Sequence, residues 1–303
     1  MLDSLVFKGK GEKSMKVLVV GLGLIGGSMA IDIRRRHFAD EIYGVEADPI
    51  NAAAALKIGL VDQLVTLQEG IGLADFIIIA VPVGAAVKLL VKVLDEFDRL
   101  AQLNGGKLDK TVIDVCSTKE MIIRAVDYHK MRKYYVATHP MSGTEYCGPW
   151  AALPDLFNSK AAIICNSEDS EHKSVALVDQ FYKILNMRTI YMNASNHDVH
   201  AAYVSHLSHV ISFALSLTVL DKEKDDKHIF DMASGGFSST VRLAKSNSDM
   251  WVPIFTQNKE NVLQVLETYM DKLNEFKTAM EAYDEEKLRD LIDSANRIKR
   301  IIK

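Results

Sequence analysis

The sequence has few cysteines, no excess of positive charge and no long apolar run. Its three cysteines among 303 residues are odd in number and lack the spacing of a metal site, which favours a reducing compartment. The formal net charge of −4 gives no general attraction to nucleic acid or to an anionic membrane, so we expect neither partner. No uninterrupted apolar run reaches the length of a membrane span. We therefore expect a globular protein of the cytoplasm.

Short apolar runs alternate with helical patterns from residue 16 to residue 192. Several runs lack the polar alternation of a half-exposed strand, as expected for a parallel sheet that is covered on both faces. This alternation predicts a doubly wound α/β domain over residues 1–192. The predicted strands are residues 16–20, 41–45, 76–81, 111–115, 134–138, 161–165 and 188–192.

Residues 193–303 have only helical patterns and form a second predicted domain. Asp284 is the predicted N-cap of the last helix. We expect this all-helical half to form a homodimer through an apolar stripe, although the same stripe could complete the core of one chain. The stripe consists of Val262, Leu266, Tyr269, Leu273, Phe276, Leu288, Leu291 and Ile298.

A glycine-rich turn follows the first predicted strand and precedes a helical pattern. Gly21, Gly23 and Gly26 form the spacing G-x-G-x-x-G in the context that a dinucleotide site requires. Glycines there permit a tight turn and bring a pyrophosphate close to the unpaired amides of the helix N-terminus. We expect the turn, together with Leu24 and Ile25, to bind a dinucleotide.

Glu46 lies twenty positions after Gly26, at the end of the second predicted strand. A carboxylate at that place accepts hydrogen bonds from the ribose hydroxyls and repels a 2′-phosphate, so the expected cofactor is NAD rather than NADP. Val81 and Pro82 end the third predicted strand and are expected to line the same crevice, although a plain turn would explain them nearly as well.

The stretch VATHPMSGTEYCGPW, residues 136–150, contains one histidine, His139, among prolines and glycines. These residues predict a shaped loop rather than a helix or a central strand. The stretch DVCSTK ends the preceding strand, so Ser117 and His139 are expected at the same edge of the sheet, facing the nicotinamide. A histidine there suits a general base for a hydroxyl whose carbon loses hydride.

Five motifs together resemble the prephenate dehydrogenases, with the arogenate dehydrogenases as close relatives. The resemblance runs from about residue 15 to at least residue 260. It implies a Rossmann-type nucleotide domain followed by a helical dimerisation domain, and the NAD-dependent oxidative decarboxylation of prephenate in tyrosine biosynthesis. The motifs are VGLGLIGGS, DVCSTK, HPMSGTE, SHLSHVISFAL and GGFSSTVRLAKSNSDMW.

The resemblance also implies roles for individual residues. Cys116 stands where the family often has glycine, and Ser208 replaces the proline of its SHLPH motif, but neither departure removes a chemical group. The implied roles are catalysis by His139 with Ser117 as its hydrogen-bonding companion, and substrate binding by Arg242, His209, Ser205 and Thr144.

The sequence leaves other functions open. Arogenate dehydrogenase, a β-hydroxyacid dehydrogenase and an NAD-binding regulator without turnover are the alternatives. Four histidines between residues 197 and 209 suggest a metal, but an uninterrupted helix would place His197 and His200 nearly opposite His206 and His209, so we expect none.

The ends of the chain carry further expectations. Residues 1–14 lack the features of a signal peptide. Because the first predicted strand begins at residue 16 and the last hundred or so residues are helical in pattern, we expect neither a fused chorismate mutase domain nor a regulatory βαββαβ domain.

Overall fold

The fold is an eight-stranded sheet with helices on both faces, followed by an all-helical region, as the computed structural model describes it for residues 15–224 and 228–301. The strand order is β3-β2-β1-β4-β5-β6-β7-β8, and all neighbouring pairs are parallel except β6 and β7. The expectation about a signal peptide in residues 1–14 lies outside the described residues. The strands are β1 (Lys16–Val20), β2 (Glu41–Val45), β3 (Gln63–Leu64), β4 (Phe76–Ile79), β5 (Thr111–Asp114), β6 (Tyr135–Pro140), β7 (Ala161–Cys165) and β8 (Arg188–Met192).

Twelve α-helices lie in the described part of the chain, six in each half. The sheet half contains α1 (Leu24–Arg35), α2 (Pro49–Lys57), α3 (Leu67–Leu73), α4 (Val83–Leu103), α5 (Glu120–Arg124) and α6 (His172–Ile184). The helical half contains α7 (Ala194–Ala201), α8 (Leu207–Glu223), α9 (Gly235–Val241), α10 (Ser248–Gln257), α11 (Lys259–Glu281) and α12 (Glu285–Ala295). Short 3₁₀ turns occupy Arg132–Tyr134, Pro149–Ala151, Ser167–Asp169, Phe230–Met232, Arg242–Lys245 and Asn296–Arg300.

The core consists of two apolar layers, one on each face of the sheet. Alternate residues of one strand enter different layers: Leu18 of β1 packs in the layer that contains Leu90 of α4, and Val19 packs in the layer that contains Phe181 of α6. All four of these side chains are fully buried. This double cover explains the continuous apolar runs in the sequence and confirms the predicted α/β fold class.

The predicted strands agree with the structure at most positions, although β4 ends two residues and β5 one residue earlier than predicted and β6 begins one residue later. Two further differences are larger. The two-residue strand β3 was not predicted, because so short a segment has no period to detect. The loop predicted around His139 was wrong for His139 itself and for Pro140, which are the last two residues of β6.

The pairing around β6 explains why a proline is accepted there. Pro140 lies opposite Ala162 of the antiparallel neighbour β7, and the next residue, Met141, donates its N–H to the Ala161 carbonyl at 2.8 Å. Because hydrogen-bonded positions alternate in an antiparallel pair, the Pro140 nitrogen faces away from β7. On its other side, the pairing with β5 has already ended at Asp114 and Ala137. The missing N–H of Pro140 therefore removes no hydrogen bond between the strands.

The helical half begins directly after β8. The side chain of Asn193 accepts a hydrogen bond from the N–H of Asn196 and caps α7. A π-helical turn, Ala202–His206, joins α7 to α8, so that one helix of 30 residues runs from Ala194 to Glu223. The expected cap at Asp284 is also present, since its carboxylate accepts the N–H of Lys287 at 2.9 Å.

The helix Ala194–Glu223 corrects one expectation. By length and composition alone it is long and apolar enough to cross a membrane. From the sequence we expected no segment of membrane-spanning length. Helices that lie inside a protein or between subunits pass the same test. Only 11% of its most apolar stretch is buried within the chain.

The predicted apolar stripe is only partly covered in the single chain. Val262 is buried with Ala202 and Val265 in a small core, but Leu273 is 50% exposed and Ile298 is 53% exposed. The helical half therefore presents apolar surface outward.

Candidate active site

The glycine turn forms an open cradle at the end of β1. Gly21 has a φ of +93°, which L side chains rarely adopt, and a Cβ on Gly26 would lie 2.0 Å from the Gly21 carbonyl oxygen. A Cβ on Gly23, in contrast, would meet nothing within 4 Å. Gly23 is the N-cap of α1 and has no side chain to occupy the first amides of that helix. The turn therefore has the shape and the free donors that a pyrophosphate requires.

Glu46 is held beside this turn. Its carboxylate accepts the backbone N–H of Leu22 at 2.9 Å and that of Asp48 at 3.1 Å. Val81 also borders the turn, because a Cβ on Gly21 would lie 2.9 Å from a Val81 methyl. Pro82 is the exposed N-cap of α4. Leu24 and Ile25 form the first turn of α1 and are partly buried.

These features fit a bound NAD. The Glu46 carboxylate is fixed just beyond the end of β2, and the open space at Gly23 lies at the N-terminus of α1. The strand order reverses direction around β1 and β4, and ligands of doubly wound sheets bind at such a reversal.

His139 lies at the carboxyl end of β6, at the same sheet edge as the glycine turn. It is nearly buried, at 9% exposure. Its Nδ1 is 2.8 Å from Nε2 of His197, and its Nε2 makes no hydrogen bond within residues 15–224 and 228–301. Burial places the pKa of His139 well below 6.5, and His197, Lys119 and His206 act in the same direction. The imidazole is therefore neutral at neutral pH.

Ser117, the expected companion of His139, is partly buried after β5. Its hydroxyl makes no hydrogen bond to His139 in the described structure, where the bonded neighbour is His197. Ser117 and His139 are therefore not hydrogen-bonded to each other here, and the role of Ser117 stays a prediction. The physical reason is that α7 docks against β6 and brings a stronger acceptor to Nδ1.

A buried ion pair anchors the end of β5 beside His139. The Lys119 ammonium contacts the Asp114 carboxylate, and both side chains are fully buried. The same carboxylate accepts the Tyr135 hydroxyl at 2.7 Å and the Cys116 N–H at 2.9 Å. Burial is the largest single influence and would lower the pKa of Lys119, but the charge and hydrogen bond of Asp114 together with the contributions of Cys116 and Cys165 outweigh burial and raise that pKa. A permanent positive charge thus lies near His139.

The helical half docks onto this region through Asp198. Its carboxylate accepts the backbone N–H groups of Lys119 at 2.8 Å and of Glu120 at 2.9 Å. It also accepts a hydrogen bond from Nδ1 of His197 at 2.8 Å. These contacts fix the start of α7 against the segment that follows β5.

The π-helical turn changes the arrangement of the four histidines. The Asn258 amide contacts both the Asp198 carbonyl, at 2.7 Å, and Nδ1 of His206, at 3.1 Å. His197 and His206 also both lower the pKa of His139, so the two imidazoles lie close to the same neighbour, and the expectation that they point in nearly opposite directions was wrong. That expectation assumed an uninterrupted α-helix. Within the described residues, no group of three or more metal-ligating side chains is close enough to hold a metal ion.

The four residues expected to bind substrate are linked to one another through contacts and through charge, and we refer to this group as the mouth of the candidate site. Arg242 is half exposed and its Nη1 contacts the Glu145 carboxylate at 3.1 Å. His209 stacks on Trp251 with ring centroids 3.5 Å apart, and its Nδ1 donates to the Ser205 carbonyl at 3.0 Å.

Charge links two of these residues. Burial lowers the pKa of His209, and the positive charge of Arg242 lowers it further. Thr144, beside Glu145, accepts the N–H of Tyr146 at 3.3 Å. The mouth thus contains one guanidinium, one imidazole and hydroxyl groups, a set that suits a ligand with carboxylates.

Sequence reasoning missed several residues of this site. His197 was considered only as a metal ligand, and Asp198, Asn258 and Lys119 were not considered. The adjacent pair His197-Asp198 directly after the last strand was a usable signal, since a carboxylate beside a histidine often fixes its tautomer.

The comparisons with known proteins agree with this geometry. The family model for the prephenate dehydrogenase nucleotide-binding domain matches residues 29–191, and the model for the prephenate dehydrogenase dimerization domain matches residues 193–294. The chain is similar to a prephenate dehydrogenase of Bacillus subtilis, with 29% identity over 274 residues, which are 90% of this chain and 72% of the relative.

Two solved structures are similar over most of the chain. The prephenate dehydrogenase of Aquifex aeolicus, solved with hydroxyphenyl propionate and NAD⁺, has 28% identity and a TM-score of 0.84 over 97% of this chain and 100% of that one. The arogenate dehydrogenase of Synechocystis has 25% identity and a TM-score of 0.75 over 95% of this chain and 100% of that one. With a matched nucleotide-binding domain, a matched dimerization domain and a cradle that fits the cofactor, the chain belongs to the prephenate dehydrogenase family of NAD-dependent dehydrogenases.

Proposed function

We propose that this protein oxidises and decarboxylates prephenate to 4-hydroxyphenylpyruvate, a step of tyrosine biosynthesis, with His139 as the base. The observation that carries the proposal is the neutral, nearly buried imidazole of His139, whose Nε2 is free of hydrogen bonds in the described structure. A general base must be unprotonated at the working pH and must keep its lone pair available.

The chain's own residues would do the following. Nε2 of His139 accepts the proton of the ring hydroxyl while the carbon that carries this hydroxyl loses hydride. NAD, when bound, accepts that hydride. Arg242 and His209, with Ser205 and Thr144, hold the carboxylates of the substrate. The ring carboxylate of the oxidised ring then leaves as CO₂, and the gain of aromaticity makes the step irreversible, so orientation and charge neutralisation are the main tasks of the protein.

The cofactor contacts belong to the same proposal. We assign the pyrophosphate to Gly21, Gly23 and Gly26 with Leu24 and Ile25, the ribose to Glu46, and the wall of the crevice to Val81 and Pro82. The free space at Gly23 and the fixed carboxylate of Glu46 support these assignments. Ser117 remains a candidate for a contact with the substrate hydroxyl, because it lies at the same sheet edge as His139.

Arogenate is the second candidate substrate. It differs from prephenate by an amino group in place of the side-chain ketone, and the similarity to the Synechocystis arogenate dehydrogenase favours testing it. The experiment is to measure NADH formation from NAD with prephenate, with arogenate and with β-hydroxyacids. Turnover of prephenate at the highest kcat/KM supports the proposal. A preference for arogenate would change the substrate, and turnover of β-hydroxyacids alone would overturn the proposal. Binding of NAD without any turnover would favour a regulator.

We further propose that residues 1–192 form the NAD-binding domain and that residues 193–303 form the substrate and dimerisation domain of a cytoplasmic homodimer. The outward apolar surface of α8 supports the dimer, because Leu217 is 61% exposed and Leu220 is 48% exposed in the single chain. Sedimentation over a range of concentrations tests it, and a monomer at every concentration would contradict it. The three free cysteines support a reducing compartment.

A further inference from the structure

Three side chains form a continuous buried row that begins at the proposed base. His139 Nδ1 lies 2.8 Å from His197 Nε2, and His197 Nδ1 lies 2.8 Å from a carboxylate oxygen of Asp198. His197 is 2% exposed and Asp198 is 3% exposed. Each imidazole nitrogen in the row except Nε2 of His139 has one partner, so the protons on the row can be assigned.

The assignment starts at Asp198, which is an ionised acceptor. Burial raises the pKa of Asp198, but the hydrogen bonds from His197 and from the N–H groups of Glu120 and Lys119 outweigh burial, so that the net shift is downward. A carboxylate with no proton can only accept, and therefore Nδ1 of His197 carries the hydrogen of that bond.

The proton on His139 then follows. Burial lowers the pKa of His197 below 6.5, so His197 is neutral at neutral pH and its Nε2 has a lone pair. Two lone pairs cannot share one hydrogen bond, so Nδ1 of His139 must be the donor. A neutral imidazole has one N–H, and Nε2 of His139 is consequently unprotonated.

We propose that His197, fixed by Asp198, is a positioning residue that holds His139 in the Nδ1–H tautomer and thereby directs the lone pair of Nε2 at the substrate hydroxyl. The inference rests on the proposed role of His139 as the base. His197 itself does not contact the reacting atoms. It selects the tautomer that can accept a proton, since the Nε2–H form would offer a donor where an acceptor is needed.

The row also stabilises the charge that catalysis creates. When the hydroxyl proton moves to Nε2, His139 becomes an imidazolium, and its Nδ1–H then donates a charge-assisted hydrogen bond to His197. The groups whose charges act on His139 are His197 on α7, Lys119 at the start of α5 and His206 in the π turn, whereas Asp198 and Asp114 act on His197. Among them the Asp198 carboxylate opposes the new positive charge, and it does so through His197.

The first test observes the tautomer directly in the wild-type protein with NAD added. Long-range ¹H–¹⁵N NMR of histidine-labelled protein distinguishes a protonated from an unprotonated ring nitrogen, and the loss of one set of signals in His139→Asn identifies His139. We expect an unprotonated Nε2 and a protonated Nδ1. An Nε2–H tautomer would overturn the proposal without any variant at His197.

The second test removes the acceptor. His197→Leu keeps the volume but cannot accept from Nδ1, and we expect kcat to fall on the order of 10- to 100-fold, with the KM for prephenate and the affinity for NAD unchanged. The Nε2–H signal of His139 should appear in the same variant. His197→Gln can present a side-chain oxygen to Nδ1 and should recover most of the rate. His200→Leu is the matched control, because His200 is an exposed histidine of the same helix, and it should retain full activity.

The outcomes separate this inference from the proposed function. If His139→Asn keeps its rate, His139 is not the base and both proposals fail. If His139→Asn loses its rate while His197→Leu keeps both rate and tautomer, only the role of His197 is overturned. A glutamine variant as slow as the leucine variant would also overturn it, because a purely structural role predicts no rescue. If circular dichroism shows that His197→Leu does not fold, the tautomer of His139 in the wild-type protein and the rate of His197→Gln test the proposal.

Discussion

The sheet half and the helical half of the chain bury their apolar residues in different ways. In the sheet half, Leu18, Val19 and Ile77 are fully buried between helices of the same chain. In the helical half, Leu217 is 61% exposed and Leu273 is 50% exposed, although both lie on long helices with an apolar face. The first half has a complete core, whereas the second needs another surface. The proposed active site lies where the two halves meet.

The largest expected effect is on turnover, and it follows from the proposal that the base, His139, belongs to the sheet half. His139→Asn keeps a hydrogen-bonding group but removes the base, so turnover should fall on the order of 10²- to 10⁴-fold. NAD affinity, which we assign to the glycine turn and Glu46, should be unchanged. Steady-state kinetics and a fluorescence titration with NAD measure the two quantities. If the variant kept its turnover, His139 on β6 would not be the base.

The pH profile of the same variant sharpens this prediction. Because burial places the pKa of His139 well below 6.5, the base stays unprotonated as the pH falls through 6.5. The rate of the wild-type enzyme should therefore persist below that pH and fall only in more acidic buffer, and this acidic limb should be absent in His139→Asn. A wild-type limb centred at or above 6.5 would contradict the effect of burial.

The difference between the two cores is tested by truncating one side chain in each. Phe76 is fully buried against Phe38 and Phe181, so Phe76→Ala should lower the free energy of unfolding by about 3–5 kcal/mol at any protein concentration. Leu220→Ala should lower it by a smaller amount that shrinks as the protein is diluted toward the monomer, because the lost contact lies between subunits in the proposed dimer. Urea unfolding at two protein concentrations measures both. A Leu220→Ala effect below about 0.5 kcal/mol at both concentrations would contradict the dimer face.

A smaller effect is expected at the mouth of the site, in the helical half. Arg242→Lys keeps the charge and the ion pair with Glu145 but loses the planar fork, so the KM for prephenate should rise about tenfold while NAD binding is retained. Arg289→Lys, on exposed α12, is the matched control and should change neither value. An unchanged KM in Arg242→Lys would mean that Arg242 does not bind the substrate.

The smallest effect concerns cofactor choice in the sheet half. Glu46→Ser combined with Ala47→Arg removes the carboxylate that repels a 2′-phosphate and adds a cation, so the ratio of NADP to NAD use should rise several-fold. NAD use should also decline, because Glu46 accepts the N–H of Leu22 and braces the turn. An unchanged ratio would show that Glu46 does not contact the ribose.

Local patterns predicted the features that depend on neighbours in sequence. The strand before Gly21, the glycine spacing and the cap at Asp284 are each determined within a few residues, and the structure contains all three. Pro140 was wrongly predicted to lie in a loop. A proline is accepted at this position of β6 because of where the pairing of β6 with β5 and with β7 ends. That information is absent from a window of sequence.

The features that sequence reasoning missed depend on contacts between distant residues. His139 and His197 are separated by 58 positions, and Arg242 and Glu145 by 97. The π turn at Ala202–His206 adds a rotation that no periodicity in the sequence indicates. The hydrogen bond of His139 to His197 was missed for this reason, since the docking of α7 decides which acceptor reaches Nδ1.

The row of His139, His197 and Asp198 crosses the boundary between the two halves, and this limits how the chain can be rearranged by recombination. A nucleotide-binding half transplanted onto a different helical half would retain Glu46 and His139 but would lose the acceptor that selects the tautomer of the base. We therefore expect that neither half can be exchanged for the corresponding half of another protein without loss of the hydrogen bond between His139 and His197. A chimera would need to carry residues 193–198 together with the sheet, so the natural crossover point for an engineered fusion lies after α7 begins rather than at the end of β8.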